Sequence, residues 1–359
     1  MQRLNIALCC DYIGKDEAFW LACQRALDAA AGLAGLPEGL GALHAALLQA
    51  HDAPRADQLL KQLTLAAAAK GQTTADLFPL GALAACLPGA LEYQRGMGAG
   101  EAQLRATFGD MLRWEAWFER ETGRPGLAEL HWAVLPYAGD LFEIGSLQYQ
   151  PIESRFSVYG WAAAGGGLLL LAGGGLPVDA QGRVCPPEHA VFTTAYRQEG
   201  ELAAGHLIDP LSGSISAQLT ELPVAGLSPV LAPGLRVLNL HIPAGADLSP
   251  TAVDDSLRAA KRFFAAAGRP AALAVCHSWM LDPQLAQFLP PSSRILHLAG
   301  RFARFSLPGE GSAARFVFRT DTPVDRLPAS AARTSLQQAV LAHLTSGGKL
   351  FDVGGAMLL

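Results

Sequence analysis

The 359-residue sequence predicts an α+β chain: an all-helical N-terminal domain over 1–125, then a mixed-sheet domain over 131–359. Three observations predict it. From residue 16 to about 122, Ala, Leu, Gln and Glu dominate, β-branched residues are rare, and Gly or Pro separates the candidate helices. The stretch GRPGLAEL at 123–130 ends that pattern. Beyond it, short runs rich in β-branched, leucine or aromatic residues are interleaved with two helical periods, which reads as α+β or α/β rather than a sandwich.

The first half holds candidate helices at 16–30, 39–51, 55–69, 74–87 and 101–122. In the last, Leu104, Phe108, Met111, Leu112 and Phe118 fall close to one face, while Glu101, Arg105 and Glu119 suit the solvated side. Trp114 and Trp117 widen the apolar surface and mark where this helix meets its neighbour. Residues 3–9 suggest a short extended opening. Nothing in this half clusters acid, base and nucleophile, so its expected role is scaffolding or docking.

In the second half, HWAVLPY, DLFEIGSLQYQ, RFSVYGW, GLLLLA, LRVLNLHIP, AALAVCHSW, RILHLAG and ARFVFR read as strands. TAVDDSLRAAKRFFAAAG reads as a helix, with Val253, Leu257, Ala260 and Phe264 at helical spacing and Ser249 and Pro250 at its start. A second helix at 331–345 groups Leu336, Val340, Leu341 and Leu344 and stops at Gly347 and Gly348. A shorter one runs from Pro283 to Phe288.

Composition excludes several classes. Half of the residues are apolar, 16% are charged and the net charge is -5 without a Lys/Arg tract, so neither a disordered chain nor a nucleic-acid partner is expected. The six cysteines form no CxxC pair, and the opening residues are too soon charged for a secretory leader. The run GWAAAGGGLLLLAGGGLP falls short of the ~20 apolar residues that span a bilayer. The expectation is a cytoplasmic protein with reduced thiols and no membrane partner. GGGLLLLAGGG matches neither a P-loop nor a strand-to-helix GxGxxG and reads as a hairpin or flap. HExxH and GxSxG are absent, and GSISAQ reads as an ordinary turn serine.

Three segments carry polar residues where a core strand needs none. Glu143 sits among Leu141, Phe142, Ile144 and Leu147; Asn239 and His241 lie opposite Leu238, Leu240 and Ile242; His277 shares a face with Leu273 and Val275, just before Ser278. A buried carboxylate or imidazole is costly unless paired, so these groups need partners or a wet cleft. The plainer reading of His277 is a bond to a backbone carbonyl at the strand end; His241, Glu143 and His297 have plain structural readings as well, and Asp282, before Pro283, reads as a helix cap. The functional reading of His277 is a general base, since imidazole titrates near neutrality. A metal site made from His241, His277 and Glu143 is neither required nor forbidden by their spacing.

The segments DLFEIGSLQYQPIESRF, LNLHIPAGADLSPTAVDDSLRAAKRFF and VCHSWMLDPQLAQFLPPSSRILHLAGRF carry a more specific signal. They resemble a bacterial two-domain family in which an N-terminal acyltransferase-associated helical domain precedes a domain similar to the GCN5-related N-acetyltransferase fold. That resemblance implies a mixed sheet whose two middle strands splay, with acyl-CoA or acetyl-CoA as acyl donor in the gap and no metal. It makes 235–242 the fourth strand, 251–267 the next helix and 271–279 the fifth strand. The wider superfamily carries a Q/R-x-x-G-x-G/A loop there, whose backbone N–H groups and helix N-terminus face the pyrophosphate. The equivalent IPAGADLSP supplies Gly245 but neither the basic lead residue nor the second glycine, and Asp254 and Asp255 compete with an anion. The implied donor-binding set is Asn239, Leu240, Ile242, Ala244, Gly245 and Arg258. Arg236 and Lys261 are the other nearby cations, and surface ion pairing is the plainer duty for all three.

The resulting expectation is direct acyl transfer to a small-molecule or peptide amine. A backbone N–H near 239–242 polarises the thioester carbonyl, Glu143 and His277 accept the amine proton with His241 in reserve, and Ser278 protonates the departing thiolate. Cys276 alternates to the face opposite His277 and reads as a core thiol, so no covalent intermediate is implied. The enzyme reading expects Glu143, Asn239, His241 and His277 around one cavity. Its rivals are a noncatalytic metabolite- or peptide-binding module, with a cavity but no aligned base, and a docking protein with an apolar patch near 101–122.

Overall fold

Capping and apolar spacing build the helices of the first half. The computed structural model describes residues 3–309 and 311–359. Asp16 accepts the Phe19 N–H and starts a helix over Glu17–Ala30; Asp52 accepts the Arg55 N–H and starts Ala53–Ala67. Leu36–Leu48, Gln72–Gly96 and Glu101–Thr122 complete the set, the last stopped by Gly123 at φ +71°. Gln72–Gly96 is long and apolar enough to cross a bilayer, but 72% of its most apolar window is buried inside the protein. It is a core helix. Gly81 lets it approach the Glu17–Ala30 helix closely, since a Cβ there would stand 3.0 Å from the Cys23 carbonyl oxygen.

Two expectations for this half are corrected. The opening is helical rather than extended: Asn5 caps a turn at Ile6–Leu8, which runs on into a wider turn at Cys9–Ile13. HWAVLPY forms two single-turn helices, Leu130–Ala133 and Leu135–Ala138, rather than a strand.

The chain forms two compact units. The first takes residues up to Gln150 together with Pro243–Gly245 and Arg262–Gly268; the second takes Pro151–Ile242, Ala246–Lys261 and Arg269–Leu359. The first unit is centred on Trp20, Phe78, Phe108 and Tyr137, all fully buried. It also contains a hairpin of β1 (Phe142–Ile144) and β2 (Leu147–Glu153, through Gln150), which turns at Gly145 with φ +66°. Phe142 and Tyr149 of that hairpin pack on Phe264 at ring separations of 5.5 and 6.5 Å.

The second unit is strand-rich. Its strands are β3 (Val158–Ala162), β4 (Leu168–Ala172), β5 (Pro177–Val178), β6 (Phe192–Thr193), β7 (Tyr196–Glu199), β8 (Leu202–Ile208), β9 (Ile215–Pro223), β10 (Ser228–Leu231), β11 (Arg236–His241), β12 (Leu273–Ser278), β13 (Ala303–Ser306) and β14 (Val353–Leu358). One sheet runs β10-β3-β4-β8-β7, with β9 on β8. The other contains the run β11-β12-β14-β13, in which β11 and β12 are parallel and the remaining pairs antiparallel. Leu170 and Ile208 from the first of these sheets share a buried cluster with Val237, Val275 and Phe305 from the second. The Pro250–Ala266 helix connects β11 to β12, as a parallel pair requires.

Here too some expectations are corrected. RILHLAG and ARFVFR are helical, at Arg294–Ala299 and Ala313–Phe318. In GSISAQ, Ser214 lies in the loop before β9, and Ser216 inside that strand. The last helix begins at Ser335, behind a Thr334–Gln337 capping box, rather than at 331.

Candidate active site at the parallel strand pair

β11 and β12 pair in parallel at Leu238 against Ala274 and at Asn239 against Val275. Among the described residues, registered pairing stops there, before the C-terminal end of either strand. Partners in register project to the same face of a sheet and alternate along each strand. Val237, Leu273 and Val275 lie in one buried cluster, so Asn239, at the last registered pair, and His241 and His277, two positions further along each strand, continue that face. Three polar side chains thus stand on one face toward the carboxyl ends of two parallel strands, the side on which open α/β sheets receive ligands.

Each has a distinct environment. The Asn239 side-chain nitrogen lies 3.1 Å from Nε2 of His241, and its oxygen Oδ1 is buried without a hydrogen-bond partner. That oxygen is an acceptor in need of a donor. His277 is exposed and is not sealed against a carbonyl. Its Nε2 stands 3.7 Å from Oδ2 of Asp352, which immediately precedes β14. Oδ1 of Asp352 accepts the N–H of Ser312 at 3.0 Å and its hydroxyl at 2.9 Å. Cys276 faces the other way, and burial, aided by the Asp352 charge, pushes its thiol up to about 12. It is a core thiol.

The other sequence-predicted residues have structural duties. Ser278 accepts the Met280 N–H and caps the turn at Trp279–Leu281. Asp282 is buried, and accepts the Gln284 and Phe351 N–H groups. His297 is exposed on Arg294–Ala299. Glu143 belongs to the first unit, where Arg113 grips its two carboxylate oxygens at 2.6 and 2.9 Å and Gln148 donates to one of them at 3.0 Å. Asp110 completes that network, accepting from Arg113, Gln148, Trp114 and Trp132. The hydrogen bond to Glu143 is the main reason why the Arg113 guanidinium is held above its ordinary value. Both carboxylate oxygens of Glu143 are thus held by framework partners. Among the described residues, no group of three His, Cys, Asp or Glu side chains is placed to hold a metal ion.

Of the implied donor-binding set, Leu240 is buried, Ile242 half-buried, and Ala244 and Gly245 exposed, with Gly245 at φ +85°. Cations gather beside the Pro250–Ala266 helix: Arg258 pairs with Asp255, Arg301 with Asp254, and Arg294 with Asp247. Lys261 donates to the Leu359 carbonyl oxygen at 2.7 Å. Arg294 and Arg301 were missed by sequence reasoning because each pairs with an aspartate 47 positions away. A cavity of about 370 Å³ opens between β4 and β8, where registered pairing is confined to Leu171 against Leu207 and Ala172 against His206. None of the sequence-predicted residues lines it.

Comparison with known proteins follows the same division. Residues 17–139 match the family model of an N-acyltransferase N-terminal domain, and 141–357 that of a GNAT-like C-terminal domain. No curated protein matches the chain. Among solved structures, an acyltransferase in complex with CoA and 10C-teicoplanin is 21% identical, with a TM-score of 0.58 over 96% of this chain and 79% of that one. An acyltransferase with decanoyl-CoA and teicoplanin is 23% identical, with a TM-score of 0.54 over 81% and 68%. A mutant acyltransferase with octanoyl-CoA is 21% identical, with a TM-score of 0.55 over 99% and 100%. At these identities the likeness is one of fold.

Proposed function

We propose that this chain, which belongs to the two-domain family of an N-acyltransferase N-terminal domain joined to a GNAT-like C-terminal domain, transfers an acyl group from a CoA thioester to an amine. The observation that carries the proposal is the end of registered pairing between β11 and β12 at Asn239, with His241 and His277 beyond it on the same face. The stretch after the last registered pair is where an extended, amide-bearing ligand such as the pantetheine arm would meet the two strands. The acyltransferases of similar fold were solved with CoA, decanoyl-CoA or octanoyl-CoA, which supports a thioester donor here.

The chain's own residues supply the remaining steps. His277, exposed at the end of β12, accepts the proton of the attacking amine; His241, coupled to Asn239, is the second imidazole on that face. Oδ1 of Asn239 accepts an N–H from a bound substrate. Arg301 and Arg294 exchange their aspartate partners for the diphosphate of the donor, a role that the degenerate IPAGADLSP loop leaves open. A cytoplasmic setting belongs to the same proposal and rests on six cysteines without a pairing pattern.

The test presents purified protein with a panel of CoA thioesters, octanoyl and decanoyl included, and follows saturable binding and then amine-dependent thiol release with simple amines and teicoplanin as acceptors. Saturable binding with amine-dependent release is the expected outcome. Failure of every thioester to bind overturns the proposal. Binding without release under any acceptor favours a noncatalytic module.

A further inference from the structure

The proton acceptor of the proposed reaction is half-built without something to hold it. An exposed imidazole rotates and samples both neutral tautomers, and a base must present a lone pair, not an N–H, to its substrate. Among the described residues, the charged neighbour of His277 within ion-pair distance is Asp352, which is itself pinned. Ser312 donates both its N–H, at 3.0 Å, and its hydroxyl, at 2.9 Å, to Oδ1 of Asp352. Asp352 is mostly buried, with 17% of its side chain exposed against 52% for His277. With Oδ1 committed, Oδ2 is the oxygen left to face Nε2 of His277, 3.7 Å away. The backbone fixes the approach: His277 lies opposite Gly354 and Ser278 opposite Val353, so Asp352 enters β14 beside the end of β12. The charge of Asp352 also raises the neighbouring Cys276 thiol, in addition to the larger effect of burial.

We propose that Asp352 is the positioning residue for His277, a reading that rests on the acyl-transfer proposal above. Anchored by Ser312, Asp352 draws the proton of the neutral ring to Nε2 and leaves the lone pair of Nδ1 for the amine. As the amine nitrogen bonds to the thioester carbon and the C–S bond breaks, Nδ1 takes the amine proton. Asp352 then stabilises the imidazolium, and His277 returns that proton to the departing thiolate. Atoms and charge balance as amine plus thioester giving amide plus thiol. Asp352 touches no substrate atom. Its contact with Nε2 exceeds hydrogen-bond length here, and it shortens when the positive charge forms, as catalytic contacts tighten on binding.

The test has one spectroscopic arm and one kinetic arm, both in the full chain. Nitrogen-15 histidine spectra read the tautomer of His277 directly: protonation at Nε2 dominates in the wild type, and Asp352→Asn moves the ring to a mixture. Ser312→Ala moves it the same way by less, which keeps the proposal testable should Asp352→Asn fold poorly. In turnover, Asp352→Asn lowers kcat about tenfold to a hundredfold, a fraction of the ~10²–10⁴ that a general base contributes, and leaves thioester KM in place. Placed on His277→Ala, the same substitution removes nothing further, because the two residues act as a unit. An unchanged tautomer in both variants overturns the proposal. So does an equal loss of kcat from Asp352→Asn with and without His277. Full turnover in His277→Ala instead sinks the base assignment on which the proposal rests, while the tautomer spectra still separate that failure from loss of the Asp352–His277 coupling.

Discussion

Arg113 holds both carboxylate oxygens of Glu143, through Nη1 at 2.6 Å and Nη2 at 2.9 Å, inside a network that also ties down Asp110 and Gln148. The pair fastens the β1–β2 hairpin to the Glu101–Thr122 helix. Removing one partner of a buried pair strands the other charge, at a cost of ~3–5 kcal/mol when fully buried. Arg113 keeps about a third of its side chain in water, so Glu143→Ala is expected to cost about 2 kcal/mol. Urea denaturation reads this loss. If the midpoint stays put while thiol release collapses, Glu143 is part of the chemistry and not of the framework.

His277→Ala is expected to leave thioester binding intact and to lower kcat by ~10²–10⁴, the range of a positioned general base. Steady-state kinetics with a saturating amine separate the two parameters. A rise in KM at constant kcat would make His277 a binding residue instead.

Arg301→Ala is expected to weaken thioester binding about tenfold, as loss of a charged hydrogen bond of ~1.5 kcal/mol predicts, with less effect on kcat. Arg294→Ala acts in the same direction but by less, because its side chain is 67% exposed against 29% for Arg301. Calorimetry with CoA and with the pantetheine thioester, which lacks the diphosphate, checks whether that is the group involved. Equal affinities for wild type and both variants would place the diphosphate elsewhere.

Alkaline stability carries a sign set by the thiols. Burial raises Cys9, Cys23, Cys86 and Cys276 from an ordinary 9.0 to about 12. Between those values the unfolded chain has shed protons that the folded chain keeps, so stability is full below pH 9 and falls as pH climbs toward 12. Each thiol contributes a slope of at most roughly 1.4 kcal/mol per pH unit. Denaturation midpoints taken from pH 8 to 11 should decline, and Cys86→Ala should flatten the decline. A variant with the wild-type slope would show that Cys86 ionises as readily when folded.

Periodicity carried the long elements and failed on the short ones. Glu101–Thr122 matches its sequence-predicted span because its apolar residues repeat over many turns. RILHLAG and ARFVFR fold as short helices of six residues, a length at which an apolar run fits either period. β9 is largely solvated, and of its short alternating set Ile215, Ala217 and Leu219 only Ile215 is buried. β14 hides behind Gly354 and Gly355, whose added Cβ atoms would stand 2.0 Å from Phe305 and 2.6 Å from Leu281; close packing chose residues that propensity reads as turn.

The site was legible in the same uneven way. Asn239, His241 and His277 announce themselves as polar interruptions of apolar strands, and strand alternation already places them on one face. Asp352, Ser312, Arg294 and Arg301 give no such signal, since each matters through a partner far along the chain. Pairing across long separations is created by topology and leaves no local pattern to read.

Phe264, which packs on Phe142 and Tyr149 within the first unit, comes from a segment that follows most of the strands of the second. A ribosome adding ~5–20 residues per second will therefore expose the hairpin aromatics for several seconds before their covering ring emerges. Nascent-chain quality control has something to do in that interval: until Phe264 arrives, the N-terminal unit carries an uncovered aromatic face.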